Sequence, residues 1–140
     1  MSLPEDLRTF LLGDPGLSGL VGTRVYPLRL PQQPALPAVT YAWVGGDRAH
    51  VLAGPAGVAS PRLQFDCWAG TYLQAHAVFD ALRRRLDGYR GLAGAATRVQ
   101  GAFLEAERDF YEESADAGTG SGVGLYRRSG DFFIHHGEET

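Results

Sequence analysis

The stretch from Pro61 to Tyr89 constrains the fold more than any other, because a strand pattern runs directly into a helix pattern. From Arg62 to Ala69, polar and apolar residues alternate with the period of two that a half-buried strand requires. After Gly70 and a helix cap at Thr71, apolar residues recur at steps of three and four, which predicts an amphipathic helix. The strand would supply half of a core and the helix would cover it. The predicted apolar helix face consists of Tyr72, Ala75, Phe79, Leu82 and Leu86.

Two further helix signals and two strand signals precede this centre. Ser2 and Glu5 form a capping box in front of an apolar helix face. Asp14 is a second cap followed by proline, which predicts the start of a short turn through Leu20. Thr23 to Leu30 reads as extended and leads into a proline-rich segment, which favours an edge strand. Ala38 to Val44 is a strand with apolar residues on both faces. That pattern indicates burial on both sides, or a buried face and a partner surface.

Glycine dominates two of the remaining connections. Gly45 to Ser60 contains four glycines and one proline, and at about three times the usual hairpin length it predicts a long flexible loop at about residues 45–60. A second flexible loop is predicted at about residues 113–123 from its small and polar composition. The other predicted segments are a Gly/Ala-rich connection (Arg90 to Ala96), a strand (Thr97 to Glu107, continuing to about Tyr111) and a final strand paired with it as a hairpin (Gly124 to His136).

Together these segments predict a single domain over residues 1–140 with an α+β fold. We expect a small mixed, mostly antiparallel sheet of four or five strands, with an N-terminal helix and one central helix packed on one face. A net charge of −3 argues against a general nucleic-acid binder, which needs a clustered basic excess. The single cysteine excludes an internal disulfide and is compatible with a reducing cytoplasm. We expect neither a signal peptide nor a membrane span, because no long apolar run occurs.

Only a few residues invite a chemical interpretation. Cys67 lies on the apolar face of its strand, where a small buried hydrophobe is the usual role of cysteine. The sharper alternative is a thiol nucleophile with His76 as its base. Adjacent His135 and His136 point to opposite faces of a strand, so they cannot share a metal ion, and no histidine pair has zinc-site spacing. We therefore predict no catalytic residue, no cofactor and no metal site.

Two charged runs leave alternatives open. The run from Arg83 to Arg85 sits at a helix end, where cations favour the helix dipole; a phosphate site is the alternative. The acidic run from Glu105 to Glu113 is typical of a solvated strand face or an electrostatic docking surface, with a catalytic carboxylate pair as the alternative.

The order of these segments resembles the tail-completion or tail-terminator proteins of long-tailed phages and phage-like gene transfer agents. The resemblance covers nearly the whole chain and rests on the order and spacing of its pieces, because no single motif is diagnostic. The matching pieces are MSLPEDLRTFLLGDPGLSGLVGTRVYPLRLPQQPALPAVTY, LQFDCWAGTYLQAHAVFDALRRRLDGYRG and GLYRRSGDFFIHH.

This resemblance implies a structural role without an active site or cofactor. It implies a homohexameric ring that caps the head-proximal end of the tail tube, ends tail polymerisation and joins the tail to the head connector. The implied partners are further copies of the chain, the tail tube protein and the head-tail connector or stopper protein. No membrane or sequence-specific nucleic acid is implied, although DNA would pass through the lumen. The implied location is the host cytoplasm during assembly and then the head-tail junction of the particle.

A ring of this kind requires a head-to-tail contact between neighbouring subunits. We predict that the contact surface draws on the strand with two apolar faces, the long loop and the acidic run. The alternatives are another joining protein of the same particle, such as a connector or stopper, a small cysteine-dependent enzyme, and a monomeric binding module. The candidate interface residues are Trp43, Asp47, Arg48, His50, Val51, Leu52, Glu105 and Glu107.

Overall fold

The computed structural model describes residues 3–51, 54–94, 97–113 and 124–137. Three helices and six strands occur in this part of the chain. In order they are α1 (Leu3–Leu12), α2 (Pro15–Val21), β1 (Val25–Pro27), β2 (Ala38–Val51), β3 (Gly54–Ala69), α3 (Tyr72–Leu86), β4 (Gly91–Ala93), β5 (Thr97–Glu113) and β6 (Gly124–Gly137).

The strands form one sheet in the order β1-β2-β3-β6-β5-β4. β1 pairs parallel to β2, and every other neighbouring pair is antiparallel. The predicted α+β class with a mixed, mostly antiparallel sheet is therefore confirmed. The strand count is slightly higher than predicted, because β4 adds a three-residue edge strand inside the segment that was expected to be a plain connection.

The core lies between one face of the sheet and the helices, and the predicted strand-helix centre forms its middle. Alternate residues of β3, including Phe65 and Cys67, are fully buried against the helix layer. Phe132 of β6 meets Phe65 edge-on at 5.7 Å between ring centroids and meets Phe79 of α3 at 6.5 Å. Gly130 lies beneath Phe79, and a Cβ at that position would come within 2.4 Å of the ring. The sheet and α3 therefore interlock with no spare room at this point.

The helix caps predicted within the described residues are confirmed. The Asp14 carboxylate accepts a hydrogen bond from the Leu17 amide at 3.1 Å, and the Thr71 hydroxyl accepts one from the Gln74 amide at 3.2 Å. Ser2, the expected cap of α1, lies outside the described residues. The segment after Asp14 is a complete short helix, α2, where the sequence suggested only a turn.

The predicted loop at residues 45–60 is wrong. β2 continues to Val51 and β3 already begins at Gly54, so most of this segment is a long antiparallel hairpin; the connecting residues 52–53 lie outside the described part. One of its glycines, Gly46, has a backbone role. Gly46 has a φ of +129°, and a Cβ there would lie 2.3 Å from the Pro61 Cα. Glycine thus permits a close approach beside a β-bulge and does not interrupt the strand. The second predicted loop, 113–123, falls outside the described residues except for Glu113, the last residue of β5.

Two hairpin ends project from opposite ends of the sheet. β6 pairs with β3 only from Val58 to Ala69. Residues 54–57 of β3 therefore pair only with β2, and we call this end the β2–β3 tip. At the other end, Gly124 and Leu125 of β6 pair only with β5, forming the β5–β6 tip. A single subunit therefore presents a β-hairpin in each direction along its strands.

Candidate assembly surface

The sheet face opposite the helices is here called the open face. It carries polar and aromatic side chains, and no helix of the described ranges covers it. They come from the three central strands, because alternate residues of each strand point away from the core. The members that contact one another are Arg62, Gln64 and Asp66 on β3, Arg127 and Asp131 on β6, and Arg108 and Phe110 on β5.

Asp131 is the centre of this face. Its side chain is nearly buried and is held between two arginines from the flanking strands. Arg62 donates to one carboxylate oxygen from Nε at 3.0 Å and from Nη2 at 2.7 Å, and Arg108 donates to the other oxygen at 3.0 Å. Charge-assisted hydrogen bonds of this kind are stronger than neutral ones. The carboxylate therefore fastens β3, β6 and β5 together on the side that lacks a helix layer.

The network continues along the open face towards Arg127. Arg108 also donates to the side-chain oxygen Oε1 of Gln64 at 3.1 Å. The side-chain nitrogen Nε2 of Gln64 donates in turn to the two carboxylate oxygens of Asp66, at 3.1 and 3.2 Å. Arg127 approaches Asp66 at 3.7 Å and lies over the Phe110 ring at 4.2 Å from its centroid. Stacking on an aromatic face and pairing with a carboxylate together hold this guanidinium flat against the sheet. Arg127 also donates to Glu112 at 3.3 Å, so the open face is a connected network of paired charges.

A second cluster ties the start of α3 to the β5–β6 end of the sheet. Asp109 accepts hydrogen bonds from the Tyr72 hydroxyl at 2.8 Å and from Arg128 at 3.0 Å, and the His76 Nε2 atom lies 3.2 Å away. Desolvation acts to raise the pKa of Asp109, but the Tyr72 and Arg128 hydrogen bonds outweigh it and hold the pKa below its usual value. The same hydrogen bond to Asp109 raises the pKa of Tyr72. His76 of α3 therefore contacts the Asp109 carboxylate of β5.

Cys67 has the surroundings of a core residue. Its side chain is completely buried in the hydrophobic core. Burial, with a smaller contribution from nearby Asp66, raises the pKa of the Cys67 thiol far above its ordinary value. A nucleophilic cysteine needs the opposite: partial exposure and a lowered pKa. The geometry supports the interpretation of Cys67 as a packing residue.

The arginine run at the end of α3 includes one residue with a clear structural role. Arg85 donates twice to the Phe10 carbonyl oxygen, at 2.9 and 3.0 Å, and its guanidinium lies 3.9 Å above the Phe10 ring centroid. Arg83 contacts Asp80 at 3.9 Å on the exposed side of the helix. The run therefore joins α3 to α1 and supports the interpretation of these arginines as helix-end and packing residues.

The candidate interface residues fall on two separate edges. Trp43 is exposed on β2, next to a bulge, and Asp47, Arg48, His50 and Val51 follow it along the same strand. The side chains of these four residues, and Leu52 as a whole, lie outside what the structure describes. The β2 group thus lines one side of the sheet.

The remaining two candidates lie on β5. Glu105 is exposed at the bulge between Leu104 and Ala106. Glu107 forms an ion pair with Arg128 at 3.0 Å. β3 and β6 separate this strand from β2, so the two groups are about 14 Å apart across the sheet. They form two surfaces that face opposite directions and cannot act as one patch. Their part in assembly remains a prediction.

Sequence reasoning missed the open-face network and the apolar side chains beside it. The strand alternation placed Arg62, Gln64 and Asp66 on one face, but no local signal connects them with Asp131, some seventy positions away. Exposed aromatic residues were also missed: Phe103 and Phe110 on the open face and Tyr111 on the opposite face are each about half exposed. Their clustering on β5 was a usable signal, since large apolar residues outside a core often mark an interaction site.

The described ranges contain neither a metal-binding cluster nor a membrane-spanning helix. Within residues 3–51, 54–94, 97–113 and 124–137, no group of histidine, cysteine, aspartate or glutamate is arranged to hold a metal ion. In the same ranges, no helix is long and apolar enough to cross a membrane.

Comparison with solved structures identifies the fold class. The chain resembles a chain of a structure described as the virion of a native gene transfer agent (GTA) particle, with a TM-score of 0.76 and 21% sequence identity. The match covers 97% of this chain and 95% of the other. At this identity the likeness shows a shared fold, that of a component of a phage-like particle. Comparison with curated proteins gave no match.

The sequence itself identifies the family. Residues 5–123 match the family model described as tail completion protein gp17, which covers most of the chain. The chain therefore belongs to the tail completion protein family. The resemblance inferred from the order of its segments is confirmed, and the chain is a structural tail protein of a phage-like particle.

Proposed function

We propose that this chain is a tail terminator: a homohexameric ring that caps the head-proximal end of the tail tube, stops its polymerisation and joins it to the head connector. The observation that carries the proposal is the family match over residues 5–123. The partners would be five further copies, the tail tube protein and a connector or stopper protein. The ring would assemble in the host cytoplasm and remain at the head-tail junction, with DNA passing through its lumen.

The shape of the subunit supports this role. A terminator must contact the tube on one side and the connector on the other, and the β2–β3 and β5–β6 tips project from opposite ends of the sheet. The rigid open face between them, fastened by Asp131, keeps the two tips in a fixed relation. We further propose that the chain acts as one domain without catalytic activity. The complete burial of Cys67 and the role of His76 beside Asp109 support that reading.

Imaging of assembled particles tests the position. Electron microscopy of particles that carry a tagged copy of this chain is expected to show six copies in one ring between tail tube and head connector. Particles made without the chain are expected to have tails that exceed their normal length and lack heads, and purified protein added during assembly should restore both properties. Density along the tube shaft, or a ring of twelve at the head portal, would reject the terminator role.

The neighbouring role of connector or stopper gives a different phenotype. A chain that acts only as a stopper would leave tails of normal length when absent, because tube growth would still be ended by another protein. Tail length in particles that lack this chain therefore separates the two joining roles. It does so independently of whether heads are attached.

Trimming the β2–β3 tip tests whether that hairpin is part of the working surface. A variant in which Arg48 is joined to Ala59 through an Asn-Gly turn keeps a paired row of the hairpin and removes only residues 49–58. We expect this variant to fold, as judged by circular dichroism and a cooperative melt, but to fail in head joining or tail capping. A fully active trimmed variant would show that the tip is dispensable.

A further inference from the structure

The outer edge of β5 is open over the second half of the strand. β4 covers only Thr97–Val99 of that edge. The end of α3 covers the next part, where the Gly88 amide donates to the Ala102 carbonyl at 2.7 Å and the Leu104 amide donates to Asp87 at 2.9 Å. From Glu105 to Glu113, no strand within the described residues pairs with this edge. The inner side of the same segment is paired with β6 from Ala106 to Glu113.

The outer edge of β2 is open over a stretch of similar length. β1 covers Val39–Tyr41, and the Leu28 amide closes this contact by donating to the Tyr41 carbonyl at 2.8 Å. From Trp43 to Val51 no strand of the described chain pairs with the outer side of β2. Val44 in this stretch is 47% exposed. One sheet therefore ends in two long open edges, each beginning beside a bulge.

Open edges are templates for pairing with another chain, and proteins ordinarily cover or interrupt them. The strands β2, β3, β6 and β5 alternate in direction, so β5 of one copy and β2 of the next are antiparallel when the copies are related by rotation about an axis running along the strands. Unlike edges then meet, as a closed head-to-tail ring requires.

The stagger of the two edges agrees with ring closure. Within one subunit, Gly45 is paired with Arg62, whereas Arg108 lies level with Asp66, four residues further along β3. If Gly45 of one copy pairs with Arg108 of the next, the two copies are therefore displaced along the strands by four residues, or about 13 Å. Across four strands, about 19 Å wide, this displacement corresponds to a strand tilt of about 35°, at the lower end of the range for closed β-barrels.

The same register is also favourable for the side chains. It keeps residues of the open face opposite one another, since Gly45 and Arg108 both belong to that face. Like edges brought together by a twofold axis would place the acidic β5 segment against itself, which is unfavourable.

We propose that neighbouring copies of this chain join edge to edge, with residues 105–110 of β5 pairing antiparallel to residues 43–48 of β2 in the next copy. The inter-subunit contact is then a continuous sheet that closes on itself. The inference rests on the proposed ring, but it specifies the contact and a register that the ring alone does not define.

Disulfide scanning in assembled particles tests the pairing. Gly45→Cys, a position with no heavy atom within 4 Å of an added Cβ, is combined in turn with Ala106→Cys, Arg108→Cys or Phe110→Cys. A disulfide needs Cβ atoms about 4 Å apart, so only close partners cross-link. The Arg108→Cys combination is expected to give the highest yield, as a ladder extending to six copies on non-reducing electrophoresis. Cys67 can be retained because it is fully buried.

Single-cysteine variants are the matched controls. Neither Gly45→Cys nor Arg108→Cys alone should form a ladder, and strong dimers from either one would show that like edges pair and would overturn the proposal. Hydrogen exchange on the unmodified protein supplies an independent readout: residues 43–48 and 105–110 should gain at least tenfold protection on incorporation into particles. Unchanged exchange in both segments, in particles with a sixfold ring, would refute edge pairing and leave the terminator role intact.

Discussion

Replacing Asp131 by asparagine is expected to destabilise the subunit by about 2 kcal/mol. The substitution keeps the shape of the side chain but removes the negative charge between Arg62 and Arg108 and turns an amide group towards one of them. Hydrogen bonds to charged groups contribute about 1.5–3 kcal/mol each. The two arginine side chains are 35% and 37% exposed, so water can partly solvate them after the loss, which reduces the sum. The expected drop in melting temperature is roughly 6 °C.

Arg62→Met is the matched comparison. It removes one of the two cations but leaves Asp131 paired with Arg108, and the methionine side chain preserves apolar contact with the sheet. Its expected cost is about 1 kcal/mol, smaller than that of the central substitution. Both values can be measured from urea midpoints at a constant denaturant slope. A loss below about 0.5 kcal/mol for Asp131→Asn, or an Arg62→Met variant that is the less stable of the two, would show that the carboxylate is not the organising group of the open face.

Three further predictions concern packing, pH and reactivity. Gly130→Ala is expected to cost about 1–3 kcal/mol, because the new methyl group meets the buried Phe79 ring, whereas Gly45→Ala, with open space around its Cβ, should change stability by less than about 0.5 kcal/mol; equal urea midpoints would contradict the packing described. The pKa of Asp109 is lower in the folded protein than in the unfolded chain, so this carboxylate stabilises the fold above its ordinary pKa near 4 and loses that effect as the pH falls further. Asp109→Asn should therefore flatten the acid side of a curve of stability against pH, and an unchanged curve would exclude this role. Cys67 should resist a thiol-reactive dye in the folded protein and react after denaturation; rapid labelling of the native chain would revive the nucleophile alternative.

The fold could be predicted where the signal is local. Alternation in β3, the helical period of α3 and the caps at Asp14 and Thr71 all concern residues within a few positions of one another, and the structure contains each of them. The long β2–β3 hairpin cannot be predicted from composition, because a high glycine content is typical of a loop. Position 46 must be glycine because the Pro61 backbone lies too close to leave room for a side chain. Such a contact between strands cannot be recognised from composition.

The candidate surface could be predicted less well, because it depends on pairings distant in sequence. The sequence indicates the acidic run and Trp43 as candidate interface residues, but their placement on opposite edges follows from the strand order, in which β6 is inserted between β3 and β5. The neutralisation of Asp131 by arginines from two other strands likewise appears only once the register is known. Sequence patterns indicate which side chains point away from the core, but they do not indicate which of these side chains contact one another.

The projection of the two hairpins from opposite ends of adjacent strands has a mechanical consequence. A load that pulls on both tips acts along β3 and β6, perpendicular to the hydrogen bonds that join them from Val58 to Ala69. Such bonds share the load and must break together, whereas a peeling force would open them one at a time. The Arg62–Asp131 pair spans the same interface and resists the same sliding motion. A subunit built in this way is suited to transmit tension along its strands without lengthening.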